Sequence, residues 1–140
     1  MIVFKYREEL SKLTGKIKRP VADIKIRTTD GRWIEFNPYI DSGADITLLP
    51  YTFGRYIGFE SLRSAKGAEI PVEIRRAEIK IGHIELNIRV AWALIEETPP
   101  LLGRLDIFDK FNIIFKEREG KIIFEPIMRN VTQNWYTHPP

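Results

Sequence analysis

Apolar residues at every second position dominate this chain, and they restrict it to a fold built from strands. Ala22, Ile24 and Ile26 alternate with Asp23, Lys25 and Arg27. Such period-two order sets one row against a core and the other in solvent. Thr29-Asp30-Gly31-Arg32 follows, and Asp-Gly marks a hairpin turn. Ile34, Phe36 and Ile40 lie in phase on the returning strand, where Pro38 marks an edge position or a bulge because it has no N–H for a ladder. A second hairpin carries Val72 and Ile74 in one phase and Ala77, Ile79 and Ile81 in the other, so the shift at Arg75-Arg76 predicts a bulge. After the turn at Gly82-His83, Ile84, Leu86, Ile88 and Val90 alternate with Glu85, Asn87 and Arg89. A third hairpin joins Ile113-Ile114-Phe115 to Ile122-Ile123-Phe124 around Glu119-Gly120. Helical spacing occurs twice. Residues 51–57 predict a short helix stopped by Gly58, and residues 104–111 place Leu105, Phe108 and Phe111 on one helical face. Short strands with regular turns predict an all-β barrel or sandwich.

Length and composition bound the rest. A chain of 140 residues fits one domain by the usual prior of about 100–200 residues. There is no Cys, which removes disulfides, thiol nucleophiles and thiolate metal sites. His83 and His138 are far apart and lack ligand spacing, so no metal site and no cofactor is expected. The start, Met1-Ile2-Val3-Phe4-Lys5-Tyr6-Arg7, is charged too early for a signal peptide. No stretch approaches the ~18 apolar residues of a membrane span. A cytoplasmic protein with no membrane partner is the expectation. The net charge of +3 is modest, and its basic spots at Lys16-Ile17-Lys18-Arg19 and Arg75-Arg76 predict solvated surface and no nucleic-acid partner. Ile, Lys, Arg and Glu are abundant and Gln occurs once, a bias seen in heat-adapted proteins. No Ser–His–Asp or Cys–His set, phosphate loop or His-Glu-x-x-His is present.

Two short motifs carry chemistry. Residues 41–47 read Asp41-Ser42-Gly43-Ala44-Asp45-Ile46-Thr47, and residues 101–104 read Leu101-Leu102-Gly103-Arg104. An Asp followed by a small hydroxyl residue and Gly suits a carboxylate on a tight loop. The Gly permits a turn and a close backbone approach, and the hydroxyl can pin the loop. Taken alone, Asp-Ser-Gly is also an ordinary turn. With an apolar strand before it and Leu-Leu-Gly-Arg after it, the pattern resembles the retropepsin-like aspartic proteases, the one-lobed retroviral type and their cellular relatives. The resemblance covers about residues 20–125 and leaves 126–140 as a polar tail with aromatics. It implies one lobe per chain in a closed β-barrel-like acid protease fold, with one short C-terminal helix at 104–111.

The resemblance also implies roles. Asp41 is the catalytic residue. Ser42 interlocks with its counterpart across a dimer, Gly43 brings its backbone to substrate and water, and Ala44 is small where substrate passes. Asp45 faces Arg104 and approaches the substrate backbone; an Asp–Arg fork braces a loop well, and a surface charge on each is the alternative. Thr47 supports the loop by hydrogen bonding or is a simple strand Thr. Leu102 and Gly103 pack behind the loop. The family places Asp or Asn after the Arg, whereas Leu105 stands here. A flap centred on Lys66-Gly67, with one Gly where retroviral flaps have several, or else a surface loop, is expected over the site. Met1 to Tyr6 is a candidate strand for an interface sheet, with Ile127-Met128 and Trp135-Tyr136 packing nearby.

Aspartic protease chemistry needs two facing carboxylates that share a proton. This chain has one Asp-Ser-Gly. The second acid is therefore expected from another copy, in a symmetric homodimer acting on peptide or unfolded-protein substrates. The expected activity is aspartic endopeptidase at acidic or near-neutral pH. The alternative is a non-catalytic dimeric peptide-binding module on the same fold.

Overall fold

The structure is a computed structural model that describes residues 1–61 and 71–127. The expected flap at Lys66-Gly67, and Met128, Trp135 and Tyr136 of the tail, lie outside the described residues. Strands run in the order β1 (Ile2–Lys5), β2 (Arg7–Ser11), β3 (Gly15–Arg19), β4 (Ile24–Arg27), β5 (Trp33–Phe36), β6 (Tyr39–Ile40) and β7 (Thr47–Leu49). After helix α1 (Tyr51–Tyr56) come β8 (Val72–Ile81), β9 (Ile84–Ala93), β10 (Leu101–Leu102), β11 (Phe111–Lys116) and β12 (Lys121–Pro126). They form a seven-stranded sheet in the order β5-β4-β8-β9-β7-β10-β6, a three-stranded sheet β1-β12-β11 and the ribbon β2-β3.

The three hairpins read from alternation are present. Ile24 faces Phe36 and Ile26 faces Ile34 across β4–β5, and Ile113 faces Phe124 across β11–β12. The β8–β9 pairing runs unbroken from Val72↔Ala93 to Ile81↔Ile84, so there is no bulge at Arg75-Arg76. The apparent phase shift has a simpler origin. Ala77, Ile79 and Ile81 face the core, while Ile74 sits on the opposite face and is 59% exposed.

Two other expectations are corrected. The sheet is a curled half-barrel and does not close; β5 and β6 end a linear strand order. Residues 104–111 do not form an α-helix. Asp106 takes a left-handed φ of 66°, which interrupts a right-handed helix, and only the single 3-10 turn Phe108–Lys110 follows. The helix is instead α1, which Gly58 ends at φ 110° with its N–H on the Arg55 carbonyl. The strand expected at the N-terminus is present; it pairs on one side with β12 of its own chain, Ile2 opposite Phe124 and Phe4 opposite Ile122, and forms the edge of its sheet.

The core gathers Ile24, Ile26, Ile79, Ile88, Leu102, Ile107, Trp92 and Phe124, with their neighbours, into one cluster. Each fully buried large side chain contributes about 1.5–3 kcal/mol. Trp92 is fully buried, stacks on Tyr51 with ring centroids 5.6 Å apart and donates from Nε1 to the Tyr51 carbonyl at 3.1 Å. It ties α1 to β9, the strand that pairs β7 beside the motif. Among the described residues no helix is long and apolar enough to cross a membrane.

Candidate active site

Strand β10 lies between the strand that enters the Asp41 loop and the strand that leaves it. Tyr39 and Ile40 of β6 run parallel to Leu101 and Leu102, and Leu48 of β7 sits antiparallel to Leu101 on the other side. The loop must therefore cross the end of β10. Gly103 stands at that crossing, buried, with the Ile46 and Thr47 backbones against it.

Backbone bonds clamp the loop to the residues after β10. The Asp41 N–H donates to the Leu102 carbonyl at 3.1 Å, Arg104 N–H to Ala44 O at 2.9 Å and Leu105 N–H to Asp45 O at 2.9 Å. Thr47 is fully buried, and its Oγ1 accepts the Gly103 N–H at 3.0 Å. Replacing Thr47 with Val preserves shape and orphans that buried N–H. We expect Thr47→Val to lose about 1–3 kcal/mol, read as a lower urea midpoint at unchanged slope.

The Asp41 carboxylate is half-buried at the start of this loop. Its Oδ1 accepts the Gly43 N–H at 2.8 Å, and the Ala44 N–H closes a turn on the Asp41 carbonyl at 3.2 Å. Ser42 and Gly43 are exposed. Other acids of the chain are engaged elsewhere. Asp30 pairs with Arg32, Asp23 with Arg7, Asp109 with Lys110 and Asp106 with Arg89. The fork expected between Asp45 and Arg104 is not formed in the single chain. Asp45 is exposed, Arg104 reaches the Ser42 carbonyl with Nη1 at 3.5 Å, and the backbone bonds of the two residues go to each other's neighbours, Arg104 N–H to Ala44 O and Leu105 N–H to Asp45 O.

Two features were not foreseen from sequence. The first is Asp106, one position after Leu105. Its carboxylate takes Arg89 bidentately, Nε to Oδ2 at 2.9 Å and Nη2 to Oδ1 at 2.8 Å, and also accepts the Arg89 N–H at 2.9 Å. These bonds dock the turn after Gly103 onto β9. The hydrogen bond from Arg89, with its charge, holds the Asp106 carboxyl below the usual carboxylate range against the opposing effect of burial. A carboxyl with a depressed native pKa adds stability that is complete above its unfolded value of ~3.9. That stability is lost as pH falls from about 4 through the lower native value. Asp106→Asn is expected to lower stability at neutral pH and to flatten the acid limb below about pH 4, measured by thermal melts across pH.

The second is a cluster beside Asp41. The Tyr39 hydroxyl donates to Glu9, 2.9 Å from each carboxylate oxygen. Arg19 pairs with Glu9 at 3.3 Å and lies over the Tyr39 ring, 5.6 Å from its centroid. Burial first, then Glu9, raises the Tyr39 phenol above its ordinary value. Glu9 and Arg19 come from the β2–β3 ribbon, whose strands carry few apolar residues and gave no alternation to read. Together with Asp41 and Leu101 they line a cavity of about 420 Å³. A larger cavity of about 540 Å³ lies away from the loop, between the β4–β5 turn and β8–β9.

This arrangement has a solved counterpart. The chain superposes on the crystal structure of a retropepsin-like aspartic protease from Rickettsia conorii with a TM-score of 0.53 and 19% identity, over 78% of this chain and 98% of that one. The fold is retropepsin-like. No family model and no curated protein matches the chain. At this identity the likeness concerns the retropepsin-like fold, and the chemistry rests on the residues of the loop.

Proposed function

We propose that this chain is one half of a homodimeric aspartic endopeptidase whose two Asp41 carboxylates, one from each copy, share a proton across the symmetry axis. The supporting observation is Asp41 itself. It is half-buried at the start of a loop locked to β10 on a retropepsin-like fold, where the loop's other acid, Asp45, is exposed, and Asp23, Asp30, Asp106 and Asp109 are paired with cations elsewhere. A lone carboxylate at such a loop lacks the general acid that peptide hydrolysis needs.

In the dimer the ionised carboxylate removes a proton from a water as its oxygen attacks the peptide carbonyl carbon. The protonated carboxyl gives its proton to the carbonyl oxygen. The resulting gem-diol then collapses: the first carboxyl passes the proton it took from water to the amide nitrogen, the second carboxylate takes a gem-diol hydroxyl proton, and the C–N bond breaks to release amine and carboxylic acid. Ser42 hydroxyls pin the paired loops, and Gly43 and Ala44 leave room for an extended peptide. In this reading Asp45 meets the peptide backbone, with Arg104 bracing the loop from behind.

The test is digestion of an unfolded protein across pH, with and without pepstatin, on protein whose mass is measured in the same buffer. Pepstatin-sensitive cleavage by a species with the mass of two chains is expected. Cleavage by a monomer would overturn the reading. Peptide binding without hydrolysis at any pH would leave the chain a binding module.

A further inference from the structure

We infer that the β2–β3 ribbon is a pairing arm whose tip passes the Asp41 loop and seats Leu10 and Leu13 on a second copy of this chain; this rests on the dimer of the protease reading. The register of the residues after β3 sets the direction of the ribbon. Val21 is bridged antiparallel to Tyr39, and the Ile40 N–H donates to the Pro20 carbonyl at 2.9 Å. One further step of that register brings Arg19, the last residue of β3, level with Asp41.

At that level the two segments part. The chain leaving β6 turns back on itself, with the Ala44 N–H on the Asp41 carbonyl. Strand β3 has five residues, Gly15–Arg19, so it runs past Asp41 by roughly 15 Å. The root of the ribbon is fixed on this course. Glu9 accepts the Tyr39 hydroxyl, Arg19 lies over the Tyr39 ring, and both line the cavity that reaches Asp41.

Among the described residues, nothing in the same chain covers the part that projects. The ribbon joins no third strand, and two strands alone are marginal in water. Leu13 and Leu10 are 95% and 83% exposed, more than any other large apolar side chain described. A shared proton requires the partner's acid within a hydrogen bond of Asp41, so a segment that overshoots Asp41 meets the partner. Two-fold symmetry then lays one arm on each copy. Residues 7–19 hold five basic and two acidic residues, so two tips repel each other. Each arm therefore rests on the body of the other copy and not on its counterpart.

The experiment measures the dimer Kd by sedimentation equilibrium for wild type and for Leu10→Ser/Leu13→Ser protein. Both side chains are exposed in the single chain, so dilute protein should melt alike in the two. The Kd is expected to rise about a hundredfold in the double variant. Its specific activity should reach the wild-type value at a correspondingly higher chain concentration. Leu13→Cys locates the tip, because the chain has no other Cys. Labelled there with a benzophenone maleimide and mixed with isotopically heavy chains, it should cross-link light to heavy. An unchanged Kd, or cross-links confined to one chain, overturns the arm and leaves the dimeric protease standing. A wild-type mass of one chain at every concentration overturns both. Pairing that the leucine substitutions weaken, in a protein that cleaves nothing, supports the arm and removes the protease.

Discussion

Asp41→Asn protein is expected to cleave no peptide measurably while it folds and pairs as the wild type does. The amide is nearly isosteric with the carboxylate. Its oxygen can keep the hydrogen bond that Oδ1 accepts from the Gly43 N–H at 2.8 Å, so the turn survives. Only the proton chemistry is lost, because an amide cannot take a proton from water at ordinary pH or donate one to a carbonyl oxygen. Removing such a general base and acid together slows hydrolysis by at least about 10⁴-fold. The proposed dimer offers a sharper readout than the loss itself. If each active site needs one Asp41 from each copy, an equal mixture of wild type and variant, allowed to exchange subunits, retains about a quarter of the full activity. Independent one-chain sites would retain about a half, since half of the chains are wild type. A titration of variant into wild type therefore tests the shared site directly.

Most of the sheet was legible because alternation reports burial. Ile24, Ile26, Ile79, Ile81, Leu86, Ile88 and Val90 face one core, and all are buried. Where a strand has no buried face the same signal fails. The β2–β3 ribbon reads Arg-Glu-Glu-Leu-Ser and Gly-Lys-Ile-Lys-Arg, and Leu10 is 83% exposed. Its pairing rests on backbone bonds and on ion pairs such as Lys16–Glu8 at 3.5 Å, which sequence periodicity does not record. The helix expected at 104–111 failed for a different reason. Spacing of three suits a 3-10 turn as well as an α-helix, and the left-handed Asp106 breaks the run. The carboxylate of that residue is bonded to Arg89, seventeen residues away in sequence.

The candidate site was legible through its motifs, but only as residue types. The pattern identified Asp41, Thr47, Gly103 and Arg104 without stating who bonds whom. Asp45 and Arg104 carry complementary charges, yet their side chains do not pair; the Asp45 carbonyl accepts from Leu105 N–H, and Arg104 donates to the Ala44 and Ser42 carbonyls. Backbone hydrogen bonds have no sequence signature of their own. Glu9 and Arg19 were out of reach for the same reason as their ribbon: nothing local in the sequence places them beside residue 41.

Gly103→Ala is expected to be the most damaging single-methyl change in the chain's site region. A Cβ on Gly103 would lie 2.3 Å from the Ile46 carbonyl carbon, 2.4 Å from its oxygen and 2.8 Å from the Thr47 nitrogen. All three are backbone atoms, so no rotamer change relieves the contact. Relief requires the loop 41–47 to lift off β10. That movement breaks the Gly103–Thr47 bond and the Arg104–Ala44 and Leu105–Asp45 clamps together. Strain and lost buried hydrogen bonds of this kind exceed about 4 kcal/mol, a large share of the ~5–15 kcal/mol that holds a domain folded. Gly43→Ala is the matched comparison. There a Cβ would meet only the Asp41 Oδ1 at 3.2 Å, the end of a side chain that can shift. Thermal melts should therefore show Gly43→Ala near wild type and Gly103→Ala unfolded or strongly lowered. Near-native stability in Gly103→Ala would show that the loop does not cross β10 in van der Waals contact. The positioning of Asp41 argued from that crossing would then fail with it.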